Sequence, residues 1–410
     1  MTGKITILFL IDDFCGPEGG TEQHLLFLQR ELPRDRFDLH FGVLTAIRRF
    51  SPESFPVRPV MLGENTCPGP RGALRRLRNL TRLIKAVDAN VVHAFFPVSE
   101  YYACMAVRMA GRGRVLGVRR NIGYWHTCRS RWTARIVGLC GGAAYVANCE
   151  AARRFAARVE WISPRRVCVI QNPVSTRRLQ EGLANVPSRS SLGILDGEQV
   201  VGMVATVRPI KDYATFLRTA RLVLDKHPRT RFLAIGTEEP AYKDEMQQLA
   251  RELSIDRQVN WLGPMPNPIS VLPLCDVAVL SSQSEAFSNS LLEYAAAGVA
   301  TVATDVGGVR EIVDDGQTGL VVSPQSPEAM AARISQLLAD DAFRHALGDN
   351  AGHKAKNCFS EEKVLREYAE LYRRLARKPM PTIQEAATTS QQGISLPLET
   401  CQDPATTGLA

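Results

Sequence analysis

Two glutamates eight residues apart, Glu285 and Glu293, have a spacing that can do chemistry. The segment runs Ser284-Glu285-Ala286-Phe287-Ser288-Asn289-Ser290-Leu291-Leu292-Glu293. It reads as a loop that leaves an apolar strand and enters a helix near Ser290, with one carboxylate before the helix and one inside it. Backbone N–H groups at a helix start receive an anion. Flanking carboxylates can bond the hydroxyls of a sugar and the diol of a ribose. Two glutamates that only stabilise a helix through its dipole are the plainer reading, which suits Glu293 better than Glu285. In the first half, Gly16-Pro17-Glu18-Gly19-Gly20-Thr21-Glu22 lies between a strand and a helix. Gly19 and Gly20 let a ligand approach the backbone there, although a plain turn also fits. The cluster is not the Gly-x-Gly-x-x-Gly dinucleotide fingerprint, and no acidic residue ends a second strand to hold a ribose.

The elements that must position these residues follow from apolar periodicity. Strands are expected at 5–11, 39–45, 90–94, 115–119, 143–147 and 167–170, alternating with helices at 23–31, 74–87, 100–110 and 150–159. A linker-like stretch at 185–199 follows, and the alternation restarts. Strands at 200–207, 231–235, 259–262, 277–280, 301–304 and 320–322 then interleave with helices at 214–226, 242–253, 290–297 and 327–338. Such βα alternation implies parallel sheets covered by helices on both faces. The expected fold is α/β, with two doubly wound, Rossmann-like domains facing across a cleft. Ligands in such sheets sit outside the carboxyl ends of the strands. The expected domains are 1–185 and 186–360, then a C-terminal helix at 361–377 and a flexible tail at 378–410, rich in Thr, Gln, Pro and Ser. A length of 410 residues accommodates two or three domains.

Charge separates the halves. Residues 1–185 carry 28 Lys+Arg against 14 Asp+Glu, or +14, and the remainder carries 22 against 28, or −6. The basic half points to an anionic partner. Leu74, Leu77, Leu80, Leu83, Ile84 and Val87 fall at helical spacing, and Arg71, Arg75, Arg76, Arg78, Arg82 and Lys85 occupy most of the rest. This cationic amphipathic helix suits an anionic membrane surface, though a core-packed helix with solvated arginines fits as well. No nucleic-acid fingerprint accompanies the charge, so nucleic acid is not an expected partner. No run approaches the roughly 20 apolar residues of a membrane span; the best, at 136–147, is short and glycine-interrupted. The apolar run at 5–11 meets Asp12 and Asp13 at once and reads as a strand, not a signal peptide. The ten cysteines have no Cys-x-x-Cys pair and no histidine at zinc spacing. Reduced thiols, no metal and a cytoplasmic protein are the expectations.

These residues carry a family resemblance. The sequence resembles the retaining glycosyltransferases of family 4, which have the GT-B fold of two facing Rossmann-like domains. Glu285 and Glu293 match that family's E-x7-E motif. So do Tyr294-Ala295-Ala296-Ala297-Gly298, Val302-Ala303-Thr304-Asp305-Val306-Gly307-Gly308, Glu311 and Asp315-Gly316-Gln317-Thr318-Gly319. The first half adds Gly19-Gly20-Thr21-Glu22, Val92-His93-Ala94 and Gln171-Asn172-Pro173-Val174. The resemblance covers residues 4–375 and is most specific in the second half.

It implies a nucleoside-diphosphate-sugar donor bound mainly by the second domain, an acceptor against the first, and no separate cofactor. Glu293 would hold the ribose hydroxyls and Glu285 the sugar near its 3-hydroxyl. Amides around Phe287, Ser288 and Asn289 would meet the diphosphate, and Gly19 and Gly20 would let the first domain close on the donor. His93 would touch the sugar near C6, although without the family a buried histidine is the reading to prefer. The family's Gly-Arg, with Lys five residues after the Arg, both cations facing the diphosphate, falls here on Ala205-Thr206-Val207-Arg208-Pro209-Ile210-Lys211-Asp212. Lys211 matches, but Thr206 stands at the arginine position; strand alternation puts Arg208 on the same face, and it is the expected substitute. A forked guanidinium grips two phosphate oxygens, where an ammonium acts as a point charge. The resemblance implies same-face substitution, the acceptor hydroxyl attacking beside the leaving diphosphate. The sequence has no Asp-x-Asp motif, so a divalent cation is not expected. The acceptor is expected to be a lipid-linked or polysaccharide intermediate of exopolysaccharide or lipopolysaccharide synthesis. Arg71 to Lys85 would dock on the inner face of the cytoplasmic membrane. The alternatives are another GT-B enzyme, such as a sugar-nucleotide epimerase or phosphorylase, or a non-catalytic membrane-surface binder.

Overall fold

A computed structural model describes residues 3–16, 19–63, 69–123, 132, 134, 135 and 144–377. The chain divides into two compact units, Met1–Ile170 with the residues from Val364 on, and Gln171–Lys363.

Unit one is built from β1 (Ile5–Phe14), α1 (Gly20–Glu31), β2 (Phe37–Ile47), β3 (Pro59–Met61), α2 (Pro70–Ala86), β4 (Val91–Ala94), α3 (Pro97–Ala110), β5 (Arg114–Arg119), β6 (Ala144–Ala147), α4 (Glu150–Val159) and β7 (Val167–Val169). The strands pair in parallel in the order β3-β2-β1-β4-β5-β6-β7. Ile7 to Ile11 are all buried, as a parallel strand covered on both faces requires. Chain order reverses between β1 and β4, so α2 and α3 belong to successive crossovers and pack side by side.

Unit two contains α5 (Thr176–Ala184), β8 (Gln199–Val204), α6 (Tyr213–Leu224), β9 (Thr230–Ile235), α7 (Pro240–Glu252), β10 (Val259–Gly263), β11 (Val277–Leu280), α8 (Asn289–Ala296), β12 (Thr301–Thr304), α9 (Val309–Ile312), β13 (Leu320–Val322), α10 (Pro327–Ala339) and α11 (Asp341–Cys358). Its sheet is also parallel, in the order β10-β9-β8-β11-β12-β13. The order reverses between β8 and β11, which opens a crevice beyond their carboxyl ends.

The last helix, α12 (Glu361–Arg377), lies where the sequence puts it, but it is no separate appendage. Val364, Tyr368, Tyr372 and Leu375 enter the core of unit one, beside Phe9, Phe37 and Leu116. The first boundary also differs, falling after Ile170 and not at 185. Helix α5 belongs to unit two because Gly182 lets it close onto Ile269, a contact that leaves no room for a Cβ. The expected tail at 378–410 lies outside the described residues, as do Pro17, Glu18 and most of the apolar run at 136–147.

An ion-pair cluster is buried beside the sheet of unit one. Arg119 reaches Glu160 through Nε and Glu100 through Nη1, the latter at 2.7 Å, and Tyr145 donates to Glu100 at 2.9 Å. The guanidinium lies over the Tyr145 ring, 4.7 Å from its centroid. Burial alone would lower the Arg119 pKa, but the two carboxylates hold it above its ordinary value.

Candidate functional site

The crevice between β8 and β11 is shaped by two loops that unit two ties together. Ser281 Oγ lies 2.9 Å from the Lys211 carbonyl and 3.1 Å from that of Asp212, and Gln283 N–H donates to the Ile210 carbonyl at 2.9 Å. Thr304 Oγ1 donates to the Ser282 carbonyl at 2.6 Å. Asp212 is left-handed, with φ 52° and ψ 57°, a conformation that short polar side chains tolerate. It is held there by capping α6, accepting from Thr215 N–H at 3.2 Å and Thr215 Oγ1 at 2.8 Å. The sharp turn aims Lys211 across the crevice, where its ammonium pairs with Glu285. Ser282 Oγ donates to the same carboxylate oxygen at 2.8 Å.

Helix α8 starts in the same crevice. Ser288 is its N-cap and accepts from Leu291 N–H. Ser290 Oγ donates to the Val204 carbonyl at 2.7 Å, and the Tyr294 hydroxyl accepts from Val204 N–H at 2.6 Å. The first turn of α8 is thereby pinned to the end of β8. Phe287 is buried against Phe359, their ring centroids 5.7 Å apart. Asn289 Oδ1 accepts from Asn172 Nδ2 at 2.7 Å. Gly308 N–H donates to the Ala286 carbonyl at 2.9 Å, which holds the loop from the other side.

Each acidic anchor therefore has its own cation. Glu293 pairs with Arg178 of α5 at 3.0 Å. Burial raises the Glu293 pKa, and Arg178 works against that shift. Sequence reasoning missed Arg178 because the nine residues of α5 carry only Leu179 and Leu183 as large apolar residues, too short a pattern to mark a helix.

Thr206 and Arg208 share a face as alternation requires, both partly exposed between buried Ala205, Val207 and the turn that follows. Strand β8 stops at Val204, but extended backbone continues through Ala205 N–H to Ile235 and Val207 N–H to Thr237, at 2.9 and 2.7 Å. Thr206 Oγ1 meets Thr237 Oγ1 at 3.1 Å.

In unit one, Gly19 caps α1, and the Glu22 carboxylate folds back into the space that a Cβ on Gly19 would occupy. Arg120 donates to the Gly20 carbonyl at 3.2 Å, and burial pulls its pKa down to about 10. Asp12, at the end of β1, accepts from Ser99 N–H at the start of α3, and burial pushes its pKa up to about 6. His93 departs from the contact expected of it. It is fully buried, with Nδ1 2.8 Å from the Tyr372 hydroxyl and its ring against Phe9 and Phe95. Burial, and then the charge of Arg120, lowers its pKa to about 3, so it stays neutral. The aromatic side of α12 covers the strand end that the sequence left open.

The fold and this crevice define a two-domain protein with the architecture of nucleotide-sugar transferases. The model for "Glycosyltransferase Family 4" matches residues 18–178 and that for "Glycosyl transferases group 1" matches residues 187–354. The chain belongs to the family 4, group 1 glycosyltransferases. It is 30% identical over 226 residues to a D-inositol 3-phosphate glycosyltransferase of Corynebacterium urealyticum, covering 52% of each chain. It is 26% identical over 185 residues to the N-acetyl-alpha-D-glucosaminyl L-malate synthase of Bacillus anthracis, covering 45% of this chain and 48% of that one. The chain thus spans about half the length of the curated relatives it matches. Its fold is similar to that of Anabaena Alr3699/HepE in complex with UDP, with TM-score 0.77 and 20% identity over 90% of this chain and 100% of the other. A glycosyltransferase from Rickettsia africae gives TM-score 0.79 at 17% identity over 92% and 100%.

Proposed function

We propose that this chain is a retaining glycosyltransferase that moves a sugar from a nucleoside-diphosphate sugar to an acceptor hydroxyl. The observation that carries the reading is the crevice of unit two, where Lys211, Glu285 and the start of α8 converge with Glu293 one helical turn further in. The hard step is departure of the diphosphate while the anomeric carbon becomes cation-like. Lys211 neutralises the charge that grows on the leaving group, and Arg208 substitutes for the cation missing at Thr206. Amides at the turn through Phe287, Ser288 and Asn289 receive the diphosphate. Glu285 bonds the sugar and Glu293 the ribose. The acceptor hydroxyl attacks on the face that the diphosphate leaves.

HepE was solved with UDP and with UDP-glucose, which supports a uridine donor here. The relatives' names give an inositol phosphate and a malate as acceptors, so the acceptor differs within the family. We assign this chain a lipid-linked or polysaccharide intermediate of cell-surface glycan synthesis, met at the inner face of the cytoplasmic membrane. The exposed Arg71, Arg75, Arg78, Arg82 and Lys85 of α2 supply the electrostatic contact. The deciding experiment is a thermal-shift screen of UDP-, GDP- and ADP-sugars, followed by assay of free nucleoside diphosphate with and without acceptor. Stabilisation by one donor and acceptor-dependent release are expected. Release that ignores every acceptor, or no donor that stabilises, overturns the reading.

Arg178 gives a second expected result. In Arg178→Met, Glu293 keeps its burial but loses the cation, so its pKa rises further. Protonation then reaches Glu293 at a higher pH, and the acid form is the weaker acceptor for ribose hydroxyls. The donor KM should rise about tenfold, the scale of one hydrogen bond to a charged group, and should climb further as pH falls. The turnover number should change little. Measuring KM and kcat across pH checks this, and a parent-like KM profile contradicts it.

A further inference from the structure

Helix α3 presents to solvent a face that its position in the fold does not require. Val98, Tyr101, Met105 and Met109 recur at three- and four-residue spacing and are 54, 47, 37 and 51% exposed. The opposite face is an ordinary core face, with Ala103, Ala106 and Val107 buried on the sheet. Scattered apolar residues on a surface need no explanation, but four in one row along a single helix form a patch. Its neighbour is chemically distinctive. Helix α2 packs alongside α3 and has no acidic residue from Pro70 to Ala86. Its outward residues include Arg75, Arg78 and Arg82, together with Leu74, which is 55% exposed. Arg108 is also exposed on α3 itself. The result is a surface with an apolar row on one helix and a cationic row on the next.

We infer that α3 is a membrane-inserting element, whose apolar row enters the headgroup–acyl boundary of an anionic bilayer while the cations of α2 bind the headgroups beside it. Charge complementarity selects this occupant. A protein partner burying the row would also cover a dense cationic strip, whereas an anionic lipid surface satisfies both rows at once. Tyr101 is suited to such a boundary, with an apolar ring and a polar tip. The two methionines adapt to a fluid surface without a fixed packing partner. The inference adds to the electrostatic contact proposed for α2 and does not depend on the transferase reading. It changes the physics of attachment. Headgroup attraction alone disappears at high salt, but burial of apolar surface does not.

The test is co-sedimentation of the full chain with vesicles of phosphatidylglycerol and phosphatidylcholine, and with phosphatidylcholine alone, at low salt and at about 1 M salt, where screening is nearly complete. The parent should keep measurable binding to anionic vesicles at high salt. Tyr101→Ser with Met105→Ser should lose about tenfold in partition at both salt levels, as expected for removing two interfacial apolar groups. Val98→Ser with Met109→Ser is an independent second variant, and the melting temperature of each checks its fold. Arg75→Gln with Arg78→Gln and Arg82→Gln should weaken binding at low salt only. If this charge variant binds like the parent at low salt, charge does not select the surface and the inference is overturned. If both α3 variants partition like the parent, the inference is overturned. It is equally overturned if sedimentation velocity shows that the apolar row holds two copies of the chain together and vesicles make no difference.

Discussion

Replacing Lys211 by alanine is expected to lower turnover by roughly 100- to 1000-fold, the usual cost of removing one group aimed at charge that develops in a transition state. The basis is geometric. The turn at Asp212, clipped by Ser281 and Gln283, leaves Lys211 one direction to point, onto Glu285 across the crevice. In the free protein the ammonium pairs with that carboxylate. In the proposed reaction it also faces a diphosphate whose negative charge grows as the glycosidic bond breaks. The effect should therefore fall on kcat more than on the donor KM. Glu285 keeps the Ser282 hydroxyl as a donor in the variant, so the loss of stability should stay near about 1–3 kcal/mol. Steady-state kinetics with saturating donor, paired with a denaturant melt, separates the two effects. Turnover within about threefold of the parent, far from the hundredfold expected, would remove Lys211 from the chemistry.

Arg119→Ala should have the largest effect on stability, about 3–5 kcal/mol, because removing one partner of a buried ionic cluster takes the paired cation from the buried Glu100 carboxylate. Glu100 and Glu160 are both nearly inaccessible, and Arg119 ion-pairs with each. Exchanging the three charged residues together for apolar ones of similar volume should cost much less than the single change. Denaturant unfolding of the parent, the single variant and the triple variant checks both statements. Equal losses in the single and triple variants would show that packing, not charge, holds this region.

The parts of the fold that could be read from the chain are those where local pattern and tertiary burial coincide. Val277 to Leu280 and Thr301 to Thr304 are short apolar or β-branched runs because parallel strands are buried on both faces. Where a helix is held by something other than an apolar stripe, the pattern fails. Helix α5 buries little but Gly182, and its seat on Ile269 depends on a missing side chain. Helix α11, with its small and polar residues, has almost no amphipathic signal. For His93, the covering residue Tyr372 lies 279 positions away, which no window of sequence can connect.

By itself the sequence determined the class of fold, the loop that carries Glu285, the helix that carries Glu293, and the lysine that belongs with them. The first three follow from spacing and periodicity, which are local properties of a chain, and the lysine from the family motif that it matches. Only the tertiary structure decided that Lys211 and Glu285 meet, that Arg178 attends Glu293, that His93 is sealed beneath α12, and that an exposed apolar row lies beside the cations of α2. The reason is strand order. Side chains 74 or 279 residues apart become neighbours through sheet topology and the packing of the last helix, and periodicity along the chain does not record either.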